Sequence, residues 1–236
     1  MLVAMIKPLD FKNKMNFITH LENDLRQISN RELATPMENY MKNSFFFLGI
    51  KAVERRAIFK KNYEDHKLEI KSDFRRIGWA LLHKKEREFH QCAIDLLVKE
   101  FKKNYILEDI YLIEKFITIN SWWDSVDVDA KYLLGNYLTQ FPDETYKVIE
   151  RFSNSENRWL NRSAIIFQLS YKEKTNFDLL KSECEKHKNS KEFFIQKAIG
   201  WALREYSRFN PIGVKEYVNA TNLKPLSSRE ALRNLK

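Results

Sequence analysis

The chain has 236 residues and a mass of 28.4 kDa, and its five Gly and five Pro stand where average usage would supply roughly 28 of the two together. That scarcity argues against sandwiches, barrels and doubly wound sheets, whose many tight turns draw on both residues, and against Gly-rich phosphate loops. The charge, 41 Lys and Arg against 32 Asp and Glu, gives +9 and a pI near 9.3, with a mean hydropathy of −0.53.

The N-terminal residues Met1 to Pro8 contain a short apolar run but no basic leader and no small-residue cleavage site. Residues 1–14 are expected to form a loosely ordered extension of a single domain that takes in the whole chain. From there the pattern is one helix after another, near 14–28, 36–45, 53–63, 73–84, 87–103, 106–118, 122–140, 143–152, 157–171, 176–187, 191–208, 211–219 and 227–235, with no period-2 strand pattern. Thr35-Pro36-Met37-Glu38 reads as a helix start with a capping box, Ser72-Asp73 as another, and Ser121 as the N-cap of the helix carrying Asp124. Short helices with brief breaks suggest paired-helix repeats. Ile77-Gly78-Trp79-Ala80-Leu81 recurs 122 residues later as Ile199-Gly200-Trp201-Ala202-Leu203, an interval that fits three units of about 40 residues. The expectation is an all-α fold, an α-solenoid of HEAT-like antiparallel helix pairs with a concave basic face.

Charge is distributed unevenly along this train. Residues 1–150 hold 24 basic and 23 acidic residues, whereas 151–236 hold 17 and nine, so the excess lies at the back of the chain. A basic end points first to nucleic acid and second to an anionic membrane, with a general solubility charge as the plain alternative. No stretch approaches the roughly 18 apolar residues of a membrane span. Cys92 and Cys184 have no metal or redox spacing, which together with the missing leader leads to the expectation of a reducing cytoplasm.

Three constellations carry the chemistry. In 191–208, Ile195, Ala198, Ile199, Ala202, Leu203 and Tyr206 gather on a core side, and Lys197, Trp201, Arg204 and Arg208 run along the opposite one. A Trp among three cations suits stacking on a base or sugar between phosphate contacts, or else packing on a neighbouring helix. Gly200 beside it permits close approach, and Trp79, whose stripe holds Arg75, Leu82 and His83, reads as structural. In the second, Trp122, Val126, Ala130 and Leu133 face the core, while Trp123 and Asp127, four apart, share a neighbouring face. Ring and carboxylate together suit a cation, or Asp127 joins two repeats through a basic residue. In the third, Arg162 rises on the side of Trp159, Ile166 and Leu169 and requires an anion, which Asp127 or a phosphate can supply. The five histidines give no metal centre, Gly49 is isolated, and no Ser or Cys sits in a nucleophile motif, so no metal or cofactor is expected.

The blocks Tyr40-Met41-Lys42-Asn43, Phe47-Leu48-Gly49-Ile50, Glu54-Arg55-Arg56, Arg87-Glu88-Phe89, Ser121 through Asp127, Trp159 with Arg162, Ala164 and Ile165, Phe167-Gln168-Leu169, Lys191 through Tyr206, and Leu226-Ser227 with Arg229-Glu230-Ala231 resemble the AlkD-type bacterial DNA alkylation repair proteins. The likeness covers nearly the whole chain after about residue 15. It implies a HEAT-like repeat alkylpurine DNA glycosylase that hydrolyses the N-glycosidic bond of cationic N3- or N7-alkylated purines in duplex DNA. It further implies a monomer that needs no membrane and acts without flipping the base. The family's functional positions fall on Trp123, Asp127, Arg162 and Trp201 as catalytic residues, with Tyr40 and Arg204 around the DNA; Lys197 and Arg208 of the basic stripe, and Lys51, are further DNA-binding candidates. After Ile50, members often carry a polar pair and Pro before Glu-Arg-Arg, where this chain has Lys51-Ala52-Val53. The chemistry suits one carboxylate: the base is already cationic and leaves neutral, so no general acid is required. Arg162 and Arg204 would then hold phosphates beside the lesion. The competing expectations are a catalytically silent DNA-binding relative and a protein-binding helical scaffold.

Overall fold

The computed structural model describes residues 16–102 and 104–235, so the expected N-terminal extension over 1–14 lies outside the described residues. The chain separates into two compact units, 1–104 and 105–236. Among the described residues the structure is helical throughout, its one β-bridge joining Phe46 and Glu86.

The first unit contains α1 (Asn16–Gln27), α2 (Arg31–Tyr40), α3 (Ala52–Asp65), α4 (Lys67–Leu82) and α5 (Arg87–Phe101). Apolar residues at helical spacing meet in its core: Phe17, Leu21 and Leu25 of α1, Ile70, Ile77 and Leu81 of α4, and Phe89, Leu96 and Phe101 of α5 are all fully buried. The expected start at Thr35-Pro36 is not the start of α2. Asn30 caps it, its side chain accepting from the Glu32 and Leu33 amides at 2.9 and 3.2 Å, which leaves Pro36 inside the helix. Glu38 does not complete a capping box; it pairs with Arg31 and accepts from the Phe47 amide. The helix also ends earlier than expected, because Lys42 and Asn43 adopt left-handed φ values of 59° and 56°. Ser72-Asp73 does mark a break, but inside α4: Asp73 has φ −146° and ψ 28°, a kink within a helix that began six residues earlier.

The loop after α2 is held from within. The Glu88 carboxylate accepts the amides of Leu48, Gly49 and Ile50 at 3.0, 3.0 and 3.2 Å, three donors that a buried loop would otherwise leave unmet. Gly49 has φ +83°, and a Cβ there would fall 2.0 Å from the Asn30 carbonyl oxygen, so no other residue fits. The lone Gly49 thus serves an internal carboxylate.

The second unit contains α6 (Asp109–Thr118), α7 (Trp123–Val128), a π-helical turn (Asp129–Leu134), α8 (Gly135–Gln140), α9 (Thr145–Ser153), α10 (Arg158–Ile166), α11 (Phe177–His187), α12 (Phe193–Tyr206), α13 (Pro211–Ala220) and α14 (Pro225–Ala231). The single helix expected over 122–140 is this α7–π–α8 run, in which the wider turn accommodates an extra residue. Asn caps α10, α11 and α13 through Asn157, Asn176 and Asn210. The expected cap Ser121 instead donates to the Ile117 carbonyl, and Trp122 occupies the cap position. The core joins Ala130, Ile165, Ile166, Leu180, Ile195, Ile199, Leu203, Val214 and Ala231.

The recurring Ile-Gly-Trp-Ala-Leu now has a physical reading. Gly78 lets Leu97 of α5 close on α4, and Gly200 lets α14 close on α12. The two sites differ in what an added methyl meets: at Gly78 it is the Leu97 side chain at 2.9 Å, and at Gly200 the Glu230 Cβ at 2.5 Å and the Ser227 carbonyl at 2.9 Å. A flexible side chain yields where a helix backbone does not. Gly200→Ala should therefore lower stability by about 1–3 kcal/mol, while in Gly78→Ala the gain of about 1 kcal/mol in helix propensity offsets much of the strain; urea titration of both variants checks the order.

Candidate functional site

Six of the predicted site residues, Trp123, Asp127, Arg162, Lys197, Trp201 and Arg204, come together in the second unit. Trp122, in extended backbone at φ −154°, closes the entry to α7 by packing its ring 5.9 Å from Trp159 of α10 and 5.6 Å from Phe194 of α12. The last two rings lie 5.0 Å apart. Three helices are thus joined by aromatic contacts of the kind that add to ordinary burial. The register set by this cluster puts Trp123 in the first turn of α7 and Asp127 one turn later, just ahead of the π-helical turn.

Arg162 of α10 meets Asp127 with both arms of its fork. Nε donates to Oδ1 at 2.7 Å and Nη2 to Oδ2 at 2.9 Å, while Nη1 donates to the Phe194 carbonyl at 2.5 Å. The anion required by a guanidinium rising from an apolar surface is therefore Asp127, and the donors expected to hold a phosphate are engaged within the protein. The Arg162 side chain is 5% exposed and that of Asp127 17%. Burial pushes the Asp127 carboxyl above the ordinary aspartate value, and the Arg162 hydrogen bonds pull against it.

Beside this pair opens a recess of about 270 Å³, lined by Trp123, Arg162, Phe193, Phe194, Lys197, Trp201, Arg204 and Glu230. Trp201 is half-buried, packing against the hydrophobic core and also lining the recess. Phe193 is more than half exposed at the rim. Lys197 and Arg204 reach the recess from α12, as their spacing predicts, but neither stands as a lone cation. Glu230 of α14 accepts from Lys197 Nζ at 2.9 Å and from Arg204 Nη1 at 2.6 Å. The hydrogen bond from Lys197, with Arg204 beside it, holds the Glu230 carboxyl below the ordinary glutamate range.

Other expected members lie elsewhere. Arg208 pairs with Glu205 at 3.3 Å and lines a second hollow with Lys131, Lys172 and Phe209. Tyr40, 69% exposed, and Lys51, also exposed, belong to the first unit. Trp79, read as structural, is half-buried with its ring 4.3 Å from His83. Gly200, expected to admit a ligand's close approach, instead admits α14. Sequence reading missed Phe193, Phe194 and Glu230. The two Phe sit in the first turn of α12 as ordinary apolar residues, and Glu230 is 26 residues beyond Arg204, a distance no helical period bridges.

A helical, repeat-like protein with a carboxylate–guanidinium pair beside an aromatic-walled, cation-lined recess is the class these features define. The DNA alkylation repair enzyme family model matches residues 21–235, and the chain belongs to that family. It is similar to a solved structure from Enterococcus faecalis described as a predicted DNA alkylation repair enzyme, 38% identical with a TM-score of 0.80 over 88% of this chain and 96% of that one. The Streptococcus mutans UA159 protein smu.31, 14% identical with a TM-score of 0.55 over 75% of this chain and 97% of that one, shares the fold. No curated protein matches the chain. Family membership gives the protein a role in DNA alkylation repair, with DNA as its partner. Among the described residues no helix is long and apolar enough to cross a membrane.

The buried pair makes a stability prediction. Arg162→Met leaves Asp127 charged and unpartnered and should cost about 3–5 kcal/mol at neutral pH. Adding Asp127→Asn should recover part of that loss, because no buried charge then remains. The defect of the single variant should also shrink as pH falls, since protonating the stranded carboxyl relieves it; urea unfolding at several pH values follows both effects.

Proposed function

We propose that the protein is a monofunctional DNA glycosylase that hydrolyses the N-glycosidic bond of cationic N3- and N7-alkylated purines, such as 3-methyladenine and 7-methylguanine, in duplex DNA. The observation that carries this reading is Asp127, a carboxylate fixed on both oxygens by Arg162 one helical turn from Trp123, next to a recess that also presents Trp201. An alkylated purine already bears a positive charge, so when the bond to C1′ breaks the electron pair stays with the base and the base departs neutral. The positive charge passes to the sugar. A carboxylate held in place stabilises the oxocarbenium-like transition state without having to reorganise, and it takes the proton of the water that adds to C1′. The faces of Trp123 and Trp201 favour the same cation through their ring quadrupoles.

In this reading Arg162 is a positioning residue, and its effect reaches the sugar through Asp127. Lys197 and Arg204 supply phosphate contacts from α12. Arg208, Tyr40 and Lys51 extend the DNA contacts outside the recess. The protein works as a monomer on the intact duplex and holds the backbone without drawing the base into a pocket.

A second reading, a DNA-binding relative that does no chemistry, is favoured by one observation: both oxygens of Asp127 are already spanned by Arg162. Incubation with duplex DNA containing a single 7-methylguanine separates the two. The glycosylase releases free base and leaves an alkali-labile site; the silent relative binds with salt-sensitive affinity and releases nothing. In Asp127→Asn, base release should fall by about 10²–10³-fold, the scale of removing one preorganised electrostatic group, while binding to an abasic duplex persists.

The pH dependence follows from the direction of the Asp127 shift. The working form is the carboxylate, and burial raises its pKa above the ordinary 3.8. Base release should therefore be low in acid, rise with pH through a value above 3.8 and level off once Asp127 is ionised. A rate profile whose acid limb lies at or below the ordinary aspartate value would contradict the assignment.

A further inference from the structure

Among the described residues Glu230 is the one acidic side chain that lines the recess itself, Asp127 being bonded to the lining Arg162, and no composition or spacing rule draws attention to it. It comes from α14, which lies close on α12 because position 200 is Gly; a Cβ there would meet the Glu230 Cβ at 2.5 Å. Its carboxylate divides between two donors, Oε1 to Lys197 and Oε2 to Arg204. Those are the cations that the α12 stripe presents to the recess. With a side chain 13% exposed, Glu230 is screened by solvent less than an open surface pair would be. Ser227 anchors the same helix turn by donating to the Gln196 carbonyl at 3.0 Å.

We propose that Glu230 is an affinity-limiting residue: an internal anion standing where a DNA phosphate would bind, which restrains the affinity of Lys197 and Arg204 for the backbone of any duplex and so keeps undamaged DNA weakly held. The inference rests on the DNA-repair reading of this recess and adds a role for α14. Backbone phosphates are present in every sequence, so cations that meet them strengthen binding to all DNA alike. A carboxylate bridging two such cations opposes that uniform attraction. A phosphate must displace it to reach them, and the cost falls equally on damaged and undamaged sites. The ratio of damaged to undamaged affinity is left as it was, and what falls is the total hold on DNA, undamaged sites included. Gly200 and Glu230 act as a pair, the first admitting the helix that carries the second.

The test is Glu230→Gln, which keeps the size and one acceptor while removing the charge. Binding of wild type and variant to the same undamaged duplex is measured by fluorescence anisotropy across a salt series, with thermal melts of both proteins. The variant should bind undamaged duplex about three- to tenfold more tightly at low salt. Its log–log salt dependence should steepen by about one to two units, because two cations are freed to release counterions. Its preference for a 7-methylguanine duplex over the undamaged one should stay the same, because displacing the carboxylate costs both complexes alike. Equal or weaker binding by the variant would overturn the proposal and make Glu230 a scaffold for the two cations, and so would a failure of both proteins to bind duplex DNA. If the variant melts early, a cycle in the Lys197→Met, Arg204→Met background decides: there Glu230→Gln should leave DNA affinity unchanged, and an effect of the original size would refute the bridge. Base release is read separately. A wild type that releases no base while the variant binds more tightly would refute the glycosylase and leave this inference standing; base release with no change in binding would do the reverse.

Discussion

The second unit is organised around one buried ion pair. Arg162 emerges from α10 on the side of the buried Trp159 and Ile166, surroundings in which a guanidinium without an anion is costly. Asp127 meets that requirement through two parallel hydrogen bonds, and the Phe194 carbonyl takes a third donor. Three helices, α7, α10 and α12, are thereby fixed in mutual register by one side chain. The rings of Trp122, Trp159 and Phe194 close over the same junction and keep the surroundings apolar, where the pair's attraction is strongest and its geometry matters most. The arrangement that holds the helices together also presents a carboxylate in a single orientation beside the recess.

Charge in the recess is arranged in layers. Arg162 is consumed by Asp127, and Lys197 and Arg204 are bridged by Glu230, so three cations face two carboxylates and a net positive charge remains. A basic stripe of this kind attracts a polyanion without leaving each cation committed to it. The close approach of α14 depends on Gly200, as that of α5 to α4 depends on Gly78. The repeated pentapeptide is accordingly a packing device used once in each unit. Its second copy also borders the recess, through Trp201.

Much of this was legible in the order of residues. Periodicity located most of the helices to within a few residues, the starts of α2 and α4 lying five and six residues ahead of those expected. It also set Trp123 and Asp127 one turn apart on α7 and drew attention to Lys197, Trp201 and Arg204, which line the recess, and it identified Arg162 as a cation in need of an anion. The errors at α2 and α7 came from one local signal prevailing over another. Pro36 sits inside a helix that Asn30 had already capped, and Ser121 turned back to Ile117.

The sequence by itself determined the helical class, the core faces and the side chains able to carry charge, because those follow from a period of 3.6 residues and from residue chemistry. Tertiary structure alone decided which charges meet. Asp127 and Arg162 are 35 residues apart, and Glu230 lies 33 and 26 residues from Lys197 and Arg204. No local rule spans such distances; only the packing of α10 on α7 and of α14 on α12 brings these groups within hydrogen-bond reach.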